Sequence, residues 1–290
     1  VKAICELAGT AEKAGFDSLW MAHIRSLDAI SALSAAGAVT ERIELGTAVT
    51  PIQPRHPMAL AQQAMTASQI CGGRFTLGIG LSHKIVIEDM LGLSYERPAA
   101  YMREYLDSLL VLIEGKEINF QGEFFKIRNL KLEIPEVDQI SVVVAALGPK
   151  MLKIAGTLAD GTSTWMTGPE ALEKHVVKGI KDAASNSGRP SPRIIAGFPI
   201  VLTNRPQEAR EKLEKGLAFY GTLPSYRAML DKEGVNSPVD LALIGDEQKL
   251  LEKIEAIRSS GVTDFNAAIM NTDEGAFQRT FDFLNSLISI

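Results

Sequence analysis

The chain has 290 residues, 46% of them hydrophobic, and a formal net charge of −5. That size and apolar content suit a large buried core, and scattered Lys and Arg in an acidic chain give no counterion-replacing stripe for nucleic acid. Two cysteines, Cys5 and Cys71, without CxxC or zinc-type Cys/His spacing, point to a reducing compartment, taken as the cytoplasm, and to no metal site.

The opening "VKAICELAGTAEKAG" has the pattern of a helix rather than of a signal peptide, and no apolar run approaches the ~20 residues of a membrane span. From there, short strands apolar on both faces alternate with periodic helices, as in a sheet covered by helices. Seven strands are predicted: "DSLWMA" (17–22), "IELGTAV" (43–49), "FTLGIG" (75–80), "ISVVVA" (140–145), "GTSTWM" (161–166), "RIIAGFPIVL" (193–202) and "DFNAAIM" (264–270). The run 98–114 predicts a helix that buries Met102, Leu106, Leu109, Leu110 and Ile113, with Pro98 in its first turn. Residues 115–135 alternate like a hairpin turning at Gln121-Gly122, and 219–245 is a Pro/Gly-punctuated stretch ahead of a helix at 246–259. "EKAGFDSLWMA" and "RSSGVTDFNAAIM" echo one another, with Gly15 and Gly261 as left-handed helix caps. No linker is evident, and 1–290 is expected to form one α/β domain, a (β/α)8 TIM barrel with insertions. Seven strands are one short of eight, so a first strand is expected ahead of Val1.

Barrel enzymes gather their reactive groups at the carboxyl ends of the strands. His23 ("WMAHIRS") and His83 ("GIGLSHK") follow strands directly, and imidazole is the side chain suited to proton transfer near neutral pH. Successive strand ends would bring the two to one rim; packing histidines without chemistry are the alternative. His56, before Pro57 at a helix start, is expected to be structural, and His175 is expected to be a solvated helix residue. "GIGLSH" (78–83) lacks the third glycine of the dinucleotide fingerprint, and there is no phosphate-loop lysine, HExxH or nucleophile elbow. Gly78 and Gly80 instead allow close approach of either a flat ring or a neighbouring backbone.

In "AALGPKMLKIAGTLADG" (145–161), small residues end a strand, Gly148 leaves backbone bare, and Pro149 fits the first position of a helix. The free amides of that first turn would face an anion with the helix dipole behind them. An ordinary Gly-Pro helix start reads equally well. Lys150 either adds charge or faces solvent. In "LGTAVTPIQPRHP" (45–57), Pro51 and Pro54 force the chain off its strand path soon after Thr47-Ala48-Val49-Thr50.

Taken in order, "AGFDSLWMAH", "RIELGTAVTPIQPRHP", "GGRFTLGIGLSH" and "AALGPKMLKIAGTLADGTSTWMTGP" resemble the luciferase-like superfamily over nearly the full chain. Within it they resemble the branch of deazaflavin-dependent oxidoreductases that includes methylenetetrahydromethanopterin reductase and a glucose-6-phosphate dehydrogenase. The resemblance implies that coenzyme F420 lies across the strand ends, with a non-proline cis peptide at Ala48–Val49 behind its ring. Thr47, Ala48, Val49, Gly80 and Ser82 would then be ring contacts, and Ala145, Ala146, Leu147, Gly148 and Pro149 the cradle of its phosphate. Trp165 would cover the cofactor tail or only fill space. The same resemblance gives His23 a role in proton transfer. Ser82-His83 stand where the dehydrogenase has Gly-Glu, which speaks against glucose-6-phosphate oxidation and leaves His83 as a second proton carrier or ring contact. The function implied is hydride transfer between F420 and a small organic substrate. An FMN- and oxygen-dependent monooxygenase and a flavin-binding protein without turnover are the alternatives, and a homodimer fits the family.

Overall fold

The computed structural model describes residues 1–135 and 138–288. Two compact units make up the chain: Val1–Ala145 with Thr157–Asp160, and Ala146–Gly156 with Gly161–Ile290.

In the first unit, α1 (Lys2–Lys13) ends at Ala14 and turns at Gly15, φ 87°, into β1 (Ser18–Met21). The Asp28 side chain then caps α2 (Ala29–Gly37) by accepting from the Ser31 amide at 2.8 Å. The chain continues through β2 (Glu44–Thr47), the two-residue β3 (Thr50–Pro51), α3 (Pro57–Ile70) and β4 (Phe75–Gly80). It is completed by α4 (Pro98–Ile113), the antiparallel hairpin β5 (Ile118–Gln121) and β6 (Lys126–Leu130), and β7 (Ser141–Val144). Strands β1, β2, β4 and β7 lie side by side and parallel, with Ser18 opposite Glu44, Leu45 opposite Phe75, and Thr76 opposite Ser141. Every residue of β4 is buried, as are Val142, Val143 and Val144, which is why these strands are apolar without alternation. Gly46 is bare because the Trp20 ring lies across it: a Cβ there would fall 2.3 Å from the ring.

Two expectations need correction here. The strand predicted over 43–49 stops at Thr47; the Ala48–Val49 peptide is cis, and pairing resumes in β3, where Thr50 faces Ile79 and Pro51 faces Gly80. On α4 the buried stripe is Met102, Tyr105, Leu106, Leu109 and Leu112, while Leu110 and Ile113 are only half-buried. Spacings of three and four put the first set on one face, and the other two lie at its margin. The hairpin turns where expected. Glu104 of α4 accepts from the Glu123 amide at 2.9 Å, from Phe124 at 2.8 Å and from Phe125 at 3.3 Å. A Cβ on Gly122 would fall 2.2 Å from its carboxylate.

The second unit begins in α5 (Pro149–Leu158) and continues through β8 (Gly161–Trp165), α6 (Pro169–Ala171) and α7 (Lys178–Asn186), the last two joined by a π-helical turn. Then come β9 (Arg193–Leu202), α8 (Pro206–Gly221), α9 (Pro224–Glu233), β10 (Leu243–Gly245), α10 (Glu247–Ser259), β11 (Asp264–Ile269) and α11 (Ala276–Ile288). The long β9 is the hub, parallel to β8 from Arg193 to Gly197, to β11 from Ile195 to Ile200 and to β10 from Ile200 to Leu202. The stretch 219–245 is therefore more ordered than its punctuation suggests: it holds α9, a 3₁₀ turn at Pro238–Leu241 and β10. Three residues are too few to show a period, yet Ile244 belongs to a buried cluster with Met166, Val201, Leu213, Leu230 and Val239. Gly261 takes φ 89° after α10, as expected. Among the described residues no helix is long and apolar enough to cross a membrane.

Candidate active site

In the first unit the polar constellation forms after β1 and β3. His23 follows β1 by two residues, Asp28 caps α2, and Arg55 lies between β3 and α3. The Arg55 guanidinium places Nη2 3.0 Å from His23 Nε2 and donates at 3.1 Å to Asp28 Oδ2, itself 3.6 Å from Nε2. On the other side of the ring the Ala29 amide faces Nδ1 at 3.3 Å. The His23 side chain is 12% exposed. Burial lowers its pKa first and Arg55 adds to that, with Asp28 pulling the other way, so the ring is held neutral more firmly than a free imidazole. Burial raises the Asp28 pKa, but the Ser31 amide and side chain, His23 and Arg55 outweigh it and keep the carboxylate ionised. The group thus offers a neutral imidazole whose Nε2 faces an Arg55–Asp28 ion pair, the cation opposing protonation and the anion placed to stabilise the proton once it is taken up.

His83 is half-buried, and burial lowers its pKa. Its carbonyl accepts from the Val86 and Ile87 amides, and Ser82 before it takes φ 57° with its own carbonyl bonded by Tyr95 Oη at 3.2 Å. His23 and His83 do not follow neighbouring strands: β2 pairs with both β1 and β4 and stands between them. His56 caps α3 by accepting from the Met58 amide at 3.2 Å, the structural role its position before Pro57 suggests. His175 lies in the π-helical turn and is half-buried rather than solvated.

Around the cis peptide, Thr47 is committed to the sheet. Its hydroxyl donates to the Gly78 carbonyl at 2.7 Å and accepts from the Gly78 amide at 2.9 Å. Gly78 serves close backbone approach, since a Cβ would fall 1.8 Å from the Thr47 carbonyl oxygen. Gly80 is buried against Val49, whose Cγ2 lies 2.5 Å from where a Cβ would stand, while Ala48 and Val49 remain half-exposed. Ala145 is half-buried and its amide donates to Ile79 at 2.8 Å.

In the second unit, Gly148 is the N-cap of α5, its carbonyl accepting from the Leu152 amide at 2.9 Å. Ala146 is buried, Leu147 and Gly148 half-buried, and Pro149 and Lys150 exposed. A Cβ on Gly148 would meet nothing within 4 Å, so no protein atom there requires glycine, and the bare backbone of the first turn is open to an incoming group. Trp165 packs against the cluster around Ile244, 6.5 Å from the Tyr220 ring, with its Nε1 buried and without a hydrogen-bond partner among the described residues. Sequence reading missed Arg55 and Asp28. Asp28 ahead of an apolar helical run carries a capping signal, whereas nothing in Pro54-Arg55-His56-Pro57 marks Arg55 as a partner of His23.

Residues 1–264 match the family model of luciferase-like monooxygenases, and the chain belongs to that family. The 5,10-methylenetetrahydromethanopterin reductase of Archaeoglobus fulgidus is 35% identical over 164 residues, 56% of this chain; the match spans only about half of that relative, 49% of its length. Among solved structures, the coenzyme F420-dependent tetrahydromethanopterin reductase of Methanopyrus kandleri superposes with a TM-score of 0.82 at 22% identity, over 98% of this chain and 93% of the other. An F420-dependent secondary alcohol dehydrogenase in complex with an F420-acetone adduct gives a TM-score of 0.84 at 20% identity over the same shares. At such identities the two structures show the fold, an α/β fold with a parallel sheet of the TIM-barrel kind.

Proposed function

We propose that the protein is an oxidoreductase that exchanges a hydride between coenzyme F420 and a small organic substrate. The observation that carries this is His23, a neutral, largely enclosed imidazole after β1 whose Nε2 faces the Arg55–Asp28 pair, in a chain whose relatives include a methylenetetrahydromethanopterin reductase and F420-dependent enzymes.

The residues present fit such a cofactor in two respects. The turn Ala146, Leu147, Gly148, Pro149 pairs small or bare backbone with the N-terminus of α5, and the open space at Gly148 suits a phosphate taken up by main-chain amides. In the first unit, Ala48, Val49 and Ser82 offer small or apolar surface to a flat ring, whereas Thr47 and Gly80 act through the backbone they fix. When bound, the deazaflavin supplies hydride exchange at its fifth carbon. His23 holds or takes the proton at Nε2, Asp28 stabilises the resulting imidazolium, and His83 is a ring contact or second proton carrier.

The test is titration of the protein with F420 and with FMN, followed by fluorescence, and then hydride exchange with candidate donors and acceptors. F420 binding with exchange supports the reading. Binding of FMN alone, with oxygen consumption, replaces it by the monooxygenase reading. Binding without exchange replaces it by a carrier role. His23→Ala is expected to lower turnover by about 10²–10⁴-fold while leaving F420 affinity within a few-fold; an equal loss of both would reassign His23 to binding.

A further inference from the structure

The contacts of His23 contain a conflict that hydrogen-bond chemistry resolves in only one way at a time. A guanidinium has donors and no acceptor, so Arg55 Nη2 at 3.0 Å requires a lone pair on Nε2. The Ala29 amide at 3.3 Å requires one on Nδ1. A neutral imidazole has a single in-plane lone pair, and the shorter contact, made by the charged donor, assigns it to Nε2, leaving the ring proton on Nδ1. Adding a second proton turns Nε2 into a donor that faces a donor, so Arg55 must then withdraw.

Acceptors for both parties are already in place. Asp28 Oδ2, 3.1 Å from Arg55 Nη2, stands 3.6 Å from Nε2 and can receive the new N–H after a small ring movement. For Arg55, the Pro51 carbonyl already accepts from Nη1 at 3.4 Å. The Tyr105 hydroxyl of α4 is fully buried, has no hydrogen-bond partner among the described residues, and interacts electrostatically with the same guanidinium. Two charged groups act on the ring, Arg55 from the segment before α3 and Asp28 from the cap of α2; Tyr105 of α4 interacts electrostatically with Arg55.

We propose that Arg55 is a positioning residue for His23: it keeps Nε2 as the proton-accepting nitrogen while the ring is neutral, and withdraws from Nε2 onto the Pro51 carbonyl when the protonated ring turns to Asp28. This rests on the reading of His23 as the proton carrier, but it is tested without cofactor or substrate.

The experiment is ¹⁵N NMR of the intact protein labelled at histidine, recorded across pH for the wild type, Arg55→Met, Arg55→Lys and Asp28→Asn. In the neutral wild-type ring, Nδ1 is expected to carry the proton. Arg55→Met moves the proton to Nε2 and raises the His23 midpoint by about one pH unit; Arg55→Lys restores the wild-type tautomer, and Asp28→Asn shifts the midpoint down. A wild-type neutral ring protonated on Nε2 overturns the proposal, a result that needs no variant to fold. So does a midpoint that neither Arg55→Met nor Asp28→Asn moves. Failure of F420 to bind in the separate titration would end the functional reading and leave these spectra as they are.

Discussion

Gly148→Ala separates a glycine kept for a ligand from one kept for the fold. Beyond its chain neighbours, no described protein atom lies within 4 Å of the added methyl, and Gly148 does not use the left-handed region, so alanine fits the space around the turn. The cost to the fold is confined to the weaker N-capping of alanine, about 0.5–1 kcal/mol. For a chain of this size that lowers Tm by no more than about 3 °C. A phosphate seated on the first-turn amides would instead meet the methyl and lose at least one charge-assisted hydrogen bond. Such a bond is worth about 1.5–3 kcal/mol, which corresponds to roughly 10- to 100-fold in Kd. The assay is fluorescence titration with F420 beside a thermal melt of the same preparation. An unchanged Kd with a near-native melt would refute the anion cradle, because the substitution would have filled the space without displacing anything.

Gly78→Ala makes the opposite case: its methyl would collide with the Thr47 carbonyl and break the two-way hydrogen bond between these residues, so a loss of about 2–5 kcal/mol is expected in chemical denaturation. A variant as stable as wild type would show that β2 and β4 can part without cost. The Glu12 carboxylate accepts from the amides of Glu41, Arg42 and Ile43, and these bonds hold its pKa down to about 2. A depressed carboxylate stabilises the fold above its unfolded pKa and ceases to do so as pH falls through the folded one. Glu12→Gln should therefore melt earlier than wild type at pH 7, with the gap closing between about pH 4.5 and about pH 2; a gap independent of pH would assign the effect to packing instead. A wild-type pH profile of hydride transfer should show its His23 limb below the ordinary imidazole value of about 6.5, since burial and Arg55 oppose protonation; a limb above that value would mean that Asp28 prevails.

Strands long enough to show their burial were legible in the chain: "FTLGIG" and "RIIAGFPIVL" coincide with β4 and β9 residue for residue. What escaped was short or set by distant partners. β10 has three residues and β3 two, below any period, and both exist because a neighbouring strand offers free backbone. The candidate site divides in the same way. The α3 cap at His56 and the α5 start at Gly148-Pro149 are local and readable, while the company kept by His23 depends on a residue 32 positions away. Arg55 follows β3, which pairs with β4 two residues beyond the end of β2, and that pairing is set by tertiary structure rather than by local sequence.

The clasp of Glu104 on the β5–β6 turn has a practical consequence for anyone wishing to graft new loops onto this scaffold. One carboxylate gathers three consecutive main-chain donors, at Glu123, Phe124 and Phe125, and crowds any side chain at Gly122, so much of the turn's identity is written in its backbone. Transplants would have to retain the glycine, the spacing of those donors and an aromatic residue at the position of Phe125, which is buried against His56, Tyr101 and Tyr105, whereas lengthening the tip by one residue would unfasten it.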